Sequence, residues 1–148
     1  MLKDELMERL YHFFGKEDNT SLVAVPANDE QIADAELRLH VTFHADYIQF
    51  IKAFGGGYAG LPVHAFSNGN VFGNETVVEL TMEFRQQFMG SAAGKQLQDG
   101  YVISMNGCGD PIMLNSKEEV LICYHDSGEM DVVARSFAEL IESNFYEW

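Results

Sequence analysis

Apolar residues recur at helical spacing from the start of the chain. Leu2, Leu6, Leu10, Phe13 and Phe14 share one face of a helical wheel, while Asp4, Glu5, Glu8 and Arg9 lie elsewhere. This predicts an amphipathic helix over residues 2–14, closed by Gly15. The polar stretch 16–21 leads to an apolar run, 22–25, and then Pro26, which reads as a brief edge strand or an extended connection. Asn28 followed three residues later by Gln31 has the form of a capping box, and Ile32, Ala35 and Leu39 supply the buried stripe of a second helix. After a bend over 40–44, Tyr47, Phe50, Ile51 and Phe54 predict a third helix over 45–54. It runs into Gly55-Gly56-Gly57, the pattern of a left-handed cap and a tight backbone passage.

The period then changes. Residues 61–66 read as a strand, with Pro62 near its start and the turn Ser67-Asn68-Gly69-Asn70 behind it. Asn74 is expected to cap a helix over 75–89 that buries Val77, Leu80, Phe84 and Phe88 and exposes Glu75, Glu79, Glu83 and Arg85. Residues 90–100 read as a Gly-rich connection. Short apolar runs at 101–105, 112–114, 120–124 and 130–134 are separated by turn-forming clusters, so they predict an antiparallel meander and not βαβ crossovers. Ser136 starts a last helix, with Glu139 at the capping-box position and Phe137, Leu140, Ile141 and Phe145 facing inward. The fold class that follows is α+β: one domain over 1–148 with a mostly antiparallel sheet flanked by helices.

Composition agrees, and charge adds something. A chain of 148 residues with 47% apolar and 22% charged residues is an ordinary globular domain. Nine basic against 23 acidic residues give a net charge of −14, and eight of the acids but one base fall in residues 118–148. Such a surface repels phosphate backbones and anionic membranes, so neither nucleic acid nor membrane is an expected partner. A basic protein surface is. The bland alternative is a solvated acidic surface that keeps the chain soluble.

No apolar stretch approaches the roughly 20 residues that a membrane span needs. The opening Met-Leu-Lys-Asp-Glu-Leu lacks the basic and apolar regions of a secretory leader, so the cytoplasm is the expected location. Cys108 and Cys123 are then expected as reduced, partly buried thiols.

Two stretches together carry a family likeness. The first runs from Ile32-Ala33-Asp34-Ala35-Glu36-Leu37 to Asp46-Tyr47-Ile48-Gln49-Phe50-Ile51 and Gly55-Gly56-Gly57. The second joins Val102-Ile103, Asn106-Gly107-Cys108-Gly109-Asp110, the runs 112–114 and 120–125, and Ala134-Arg135-Ser136-Phe137. In this order, over about residues 28–142, they resemble the SUKH superfamily. The family's Gly and Leu-Pro at the bend are replaced by His40 and Phe43-His44, so no ligand role is carried over there. The resemblance implies a non-catalytic binding protein, with no enzyme activity and no cofactor. Many bacterial members resemble immunity proteins that neutralise a cognate secreted toxin, in many cases a nuclease; other members are regulatory or scaffold modules.

Charge and resemblance converge on clustered carboxylates that face a toxin's basic surface. Glu118, Glu119, Asp126, Glu129 and Asp131 lie in or beside turns of the meander and form the candidate partner surface, with Tyr124, Tyr58 and Trp148 as aromatic anchors at its rim. Ordinary solvated turns and packed aromatics are the alternatives. Cys108, His125 and Asp126 supply the residue types of a small thiol hydrolase, but Cys108 sits in a Gly-Cys-Gly turn without a helix N-terminus to activate it. Asp110, between Gly109 and Pro111, reads as a turn cap. Of the five histidines only His40 and His44 approach metal-ligand spacing, across a bend and without further ligands, so no metal is expected. There is no phosphate-binding loop. A monomer is expected, or a weak homodimer paired through the edge at 61–66.

Overall fold

A computed structural model describes residues 1–70 and 72–145. Its elements follow one another as α1 (Asp4–Phe14), a 3-10 turn (Glu17–Leu22), α2 (Asp29–Leu39), α3 (Ala45–Phe54), β1 (Gly57–Tyr58), β2 (Pro62–Val63), α4 (Val77–Gln87), α5 (Ala92–Gln98), β3 (Tyr101–Met105), β4 (Pro111–Leu114), β5 (Val120–Cys123), β6 (Met130–Ala134) and α6 (Phe137–Asn144). Strands β3 to β6 form an antiparallel meander in sequence order, as the short turns predict. Of the run 22–25, Leu22 ends the 3-10 turn and 23–25 are an extended connection, not a strand, tied to α3 through Ala24 N–H to the Phe54 carbonyl at 3.2 Å.

Side-chain alternation on the meander explains the layers. Tyr101, Ile103, Ile112, Leu114, Val120 and Ile122 face a large cluster with Leu10, Phe13, Tyr47, Phe50 and Phe137 of α1, α3 and α6. Val102, Met113, Leu121 and Cys123 face the other way, onto Leu80, Phe84, Phe88, Ala93 and Leu97 of α4 and α5. With both faces covered, the central strands read as continuous apolar runs. The edge strand β6 differs. A register shift opposite Val120 and Leu121 leaves Val133 without a partner, and both Val132 and Val133 are exposed.

Caps settle the helix starts. Asn28 and Gln31 form the expected reciprocal capping box. The helix expected from Asn74 begins two residues later, because Thr76 and Glu79 exchange the same pair of bonds, at 3.0 and 3.1 Å. Residues 90–100 are not a loop: Ser91 accepts the Gly94 N–H and starts α5. The strand expected over 61–66 shrinks to two residues, since Pro62 has no N–H and the chain turns when Ala65 N–H bonds to Asn68 Oδ1. It is not a free edge, for His64 N–H donates to the Ile103 carbonyl on β3. The uncovered edge of the meander is β6.

The likeness motifs turn out to be fasteners. Asp46 is buried, and its Oδ2 accepts the N–H of Ala138 in the first turn of α6 at 2.8 Å, joining the two stretches across 92 residues. Tyr47 donates its hydroxyl to the His64 carbonyl at 2.6 Å and packs its ring edge-on against Phe137. Burial raises the Tyr47 phenol far above its usual range, so it stays a donor. Gly55 adopts φ 67 and ψ −146, not the left-handed cap expected but an extended conformation open only to glycine. A Cβ there would lie 2.2 Å from the Val25 carbonyl oxygen.

Candidate partner-binding surface

Two turns of the meander are built on one plan. In the β3–β4 turn, Asn106 Oδ1 accepts the N–H groups of Cys108 and Asp110 at 3.0 and 2.9 Å, and its Nδ2 donates to Asp110 Oδ2 at 3.0 Å. In the β4–β5 turn, Asn115 Oδ1 accepts from Lys117 and Glu119 at 2.9 Å each, and its Nδ2 donates to Glu119 Oε1 at 3.0 Å. Asn side chains that satisfy backbone donors two and four residues on hold such a loop in a single shape. The residue before each acid has positive φ: Gly109 at 84° and Glu118 at 66°. Glu118 thus occupies a position that its twin turn gives to glycine.

The predicted carboxylates divide between the two ends of the sheet. Glu118 and Glu119 follow β4, whereas Asp126 and Glu129 belong to the β5–β6 turn at the opposite end and Asp131 lies just beyond it in β6. Glu118, Asp126, Glu129 and Asp131 are exposed; Glu119 is half-buried and committed to Asn115. Tyr124 is half-buried and donates its hydroxyl to Asp131 at 3.0 Å. That bond, and then burial and the surrounding carboxylates, raise its phenol above the usual range. Tyr58 is half-buried in β1, and Trp148 lies outside the described residues. The two clusters that the sequence offers, Glu118 with Glu119 and Asp126 with Glu129 and Asp131, are therefore separate groups. The fold makes two acidic turns.

At the second end, Asp110 organises the chemistry. It is buried, accepts the backbone N–H of His125 at 3.0 Å, and pairs with the His125 ring through Nδ1. The His125 backbone bond first, then the Asn106 amide and the His125 ring, hold its carboxyl below the usual range. Asp110 does not cap its own turn, the role that its sequence position suggested: Asn106 does that, and Asp110 reaches across to the backbone of the β5–β6 turn. Cys108 is exposed, where a partly buried thiol was expected, and Cys123 is buried against Met113. Burial pushes the Cys123 thiol up to about 11. His125 turns to Asp110, and no hydrogen bond joins it to the Cys108 sulfur among the described residues. The geometry of a thiol–imidazole pair is not assembled.

Arg85 corrects the helix wheel. Helical spacing puts it on the exposed face of α4, yet its guanidinium donates to the carbonyls of Leu97, Leu39, Gly100 and Gln98 at 2.7, 2.9, 3.1 and 3.3 Å. It closes the ends of α2 and α5, and no helical periodicity announces that. The twin turns did leave a signal, an Asn at a strand end with an acid four residues on.

Among the described residues no group of three or more His, Cys, Asp or Glu is placed to hold a metal ion, and no helix is long and apolar enough to cross a membrane. No curated protein matches the sequence. The model of the SMI1 / KNR4 family (SUKH-1) matches residues 26–143, from just before α2 to the end of α6. The chain therefore belongs to the SMI1 / KNR4 family (SUKH-1).

Proposed function

We propose that this protein is an immunity protein that binds a cognate secreted toxin one-to-one and occludes its basic active surface or a surface beside it, without chemistry of its own. The observation that supports this most directly is the pairing of family membership with carboxylates on rigid turns in a chain of net charge −14. Preset anionic groups steer a basic partner into encounter and discriminate against neutral ones. Glu118 strengthens the reading, because a non-glycine residue held at positive φ is backbone strain, and strain of this kind concentrates where a side chain has a task.

The test is co-expression with the product of the neighbouring gene, scored for rescue of growth and for a stable complex. Charge reversal is done one end at a time, since the ends are separate: Glu118→Lys with Glu119→Lys, and Asp126→Lys with Glu129→Lys. The end that meets the toxin loses affinity and flattens the salt dependence, while the other stays silent. Affinity unchanged by either pair, and by salt, would reduce the acidic turns to solvation. A complex without growth rescue would favour a regulatory module of the same fold.

A further inference from the structure

The α2–α3 corner and the β4–β5 turn enclose a cavity of about 760 Å³, lined among others by Glu36, His40, His44, Asp99, Tyr101 and Glu118. His44 is the informative member. It is 5% exposed, precedes α3, and donates its backbone N–H to the Tyr101 hydroxyl at 2.8 Å. Its ring Nε2 lies 2.7 Å from the Asn115 carbonyl oxygen. A carbonyl can only accept, so Nε2 is the donor, and in the Nε2–H tautomer that this contact selects Nδ1 is an acceptor. That Nδ1 is buried and, alone among the buried side-chain nitrogens and oxygens of the described residues, has no hydrogen-bond partner. Buried acceptors are rarely left so, and an orphaned one asks for a donor from outside the chain.

The rest of the lining says what kind of donor. Glu36, Asp99 and Glu118 bring three carboxylates, and no lysine or arginine lines the cavity. The Glu36 oxygen Oε2 accepts the Phe43 N–H at 2.7 Å, leaving Oε1 for a ligand. The guanidinium of Arg85, which acts on Asp99 electrostatically, is engaged by its four carbonyls. Several fixed acceptors around an anionic cavity suit a planar cation with donors on more than one edge, which is a guanidinium. We infer that this cavity receives an arginine side chain of the partner protein, with the carboxylates taking its charge and His44 Nδ1 accepting one of its N–H groups. The inference rests on the proposed function for the partner's identity, and on the cavity alone for its chemistry.

The experiment uses the isolated full chain, labelled with ¹⁵N, and capped arginine (N-acetyl-arginine N-methylamide) as probe. Long-range ¹H–¹⁵N spectra first report the His44 tautomer, expected as Nε2–H. On titration the Nδ1 signal is expected to move upfield as it gains a donor, with saturable binding that salt weakens. Asp99→Asn with Glu118→Gln, both surface carboxylates and checked for fold by circular dichroism, should weaken binding about tenfold. Capped lysine should bind less tightly, and urea should leave the signal in place. The inference is overturned by an Nδ1–H tautomer, by no movement at saturating capped arginine, by urea acting equally, or by affinity indifferent to the double substitution. Free arginine binding tighter than the capped form would make the ligand a small molecule and overturn the protein partner. A failed titration leaves the immunity reading intact, and failed growth rescue leaves the cavity's chemistry intact, so the two fail separately.

Discussion

Replacing Arg85 with methionine keeps the aliphatic stem against α4 and removes the guanidinium. Four carbonyl oxygens lose the guanidinium, those of Leu39, Leu97, Gln98 and Gly100, and of these Leu97 keeps the Gly100 N–H at 3.4 Å. A hydrogen bond from a charged donor contributes about 1.5–3 kcal/mol net, and a stranded buried acceptor costs about 1–3 kcal/mol. The site is half-buried, so water can reach part of it, and the four bonds are not independent. The expected loss is about 2–4 kcal/mol, well above the ~0.5 kcal/mol typical of a surface substitution. For a chain of this size that lowers the melting temperature by about 5–15 °C. Urea unfolding followed by far-ultraviolet circular dichroism gives the free energy directly. Arg85→Lys is the control: it keeps charge and stem, but donors on one nitrogen cannot serve the carbonyls of α2 and the α5–β3 link together, so it recovers less than half. A loss below ~0.5 kcal/mol, or full recovery by lysine, would return Arg85 to the exposed helix face and refute the account.

Glu118→Gly relieves positive φ in the β4–β5 turn. The left-handed conformation costs an L residue about 1–2 kcal/mol and glycine's extra freedom in the unfolded chain costs about 0.5–1 kcal/mol, so the melting temperature should rise by about 1–3 °C. A fall would mean that the Glu118 side chain stabilises the fold. Asp110 has its carboxyl lowered from an ordinary value of 3.8, so its contribution is complete above that value and is lost as pH falls through the lower folded-state value. Urea midpoints measured down to about pH 3 should therefore fall less steeply in Asp110→Asn than in the parent, and parallel acid limbs would count against the Asn106–Asp110–His125 cluster. Thiol reagents at neutral pH should modify Cys108 promptly and Cys123 only after unfolding, read as one and then two groups released per chain. Prompt reaction of both would mean that the α4–α5 side of the sheet opens readily.

What the sequence revealed depended on how local the cause was. The capping box at Asn28, the Ser136 cap, the stripe of α3 and the four meander strands each rest on residues within a few positions of one another, and all are where the local pattern puts them. Asn74 competed with Thr76 because both are good caps, and only the reciprocal Glu79 decides between them. Gly90 and Gly94 disguised α5 as loop, although Ser91 between them is a sound helix start. The bonds of Arg85 are set by carbonyls from three other segments, and no spacing on α4 encodes them. A place in or beside turns goes with exposure for four of the five acids, while Glu119 turns back to Asn115, and successive turns of a meander alternate ends. His44 read as a bend residue, and its orphaned nitrogen depends on Asn115, 71 positions away.

The bond from Asp46 to the start of α6 has a consequence for synthesis. Phe137, at the start of α6, completes the ring cluster around Tyr47 and Phe50, so the opening helices keep an open oily face until α6 has left the ribosome. Folding is then a single late closure, and a fragment ending before Phe137 is expected to be degraded, not to act as a weakened inhibitor. On the proposed function, a cell making toxin and antidote together gains protection only after Phe137 and Ala138 have been made and have closed onto α3.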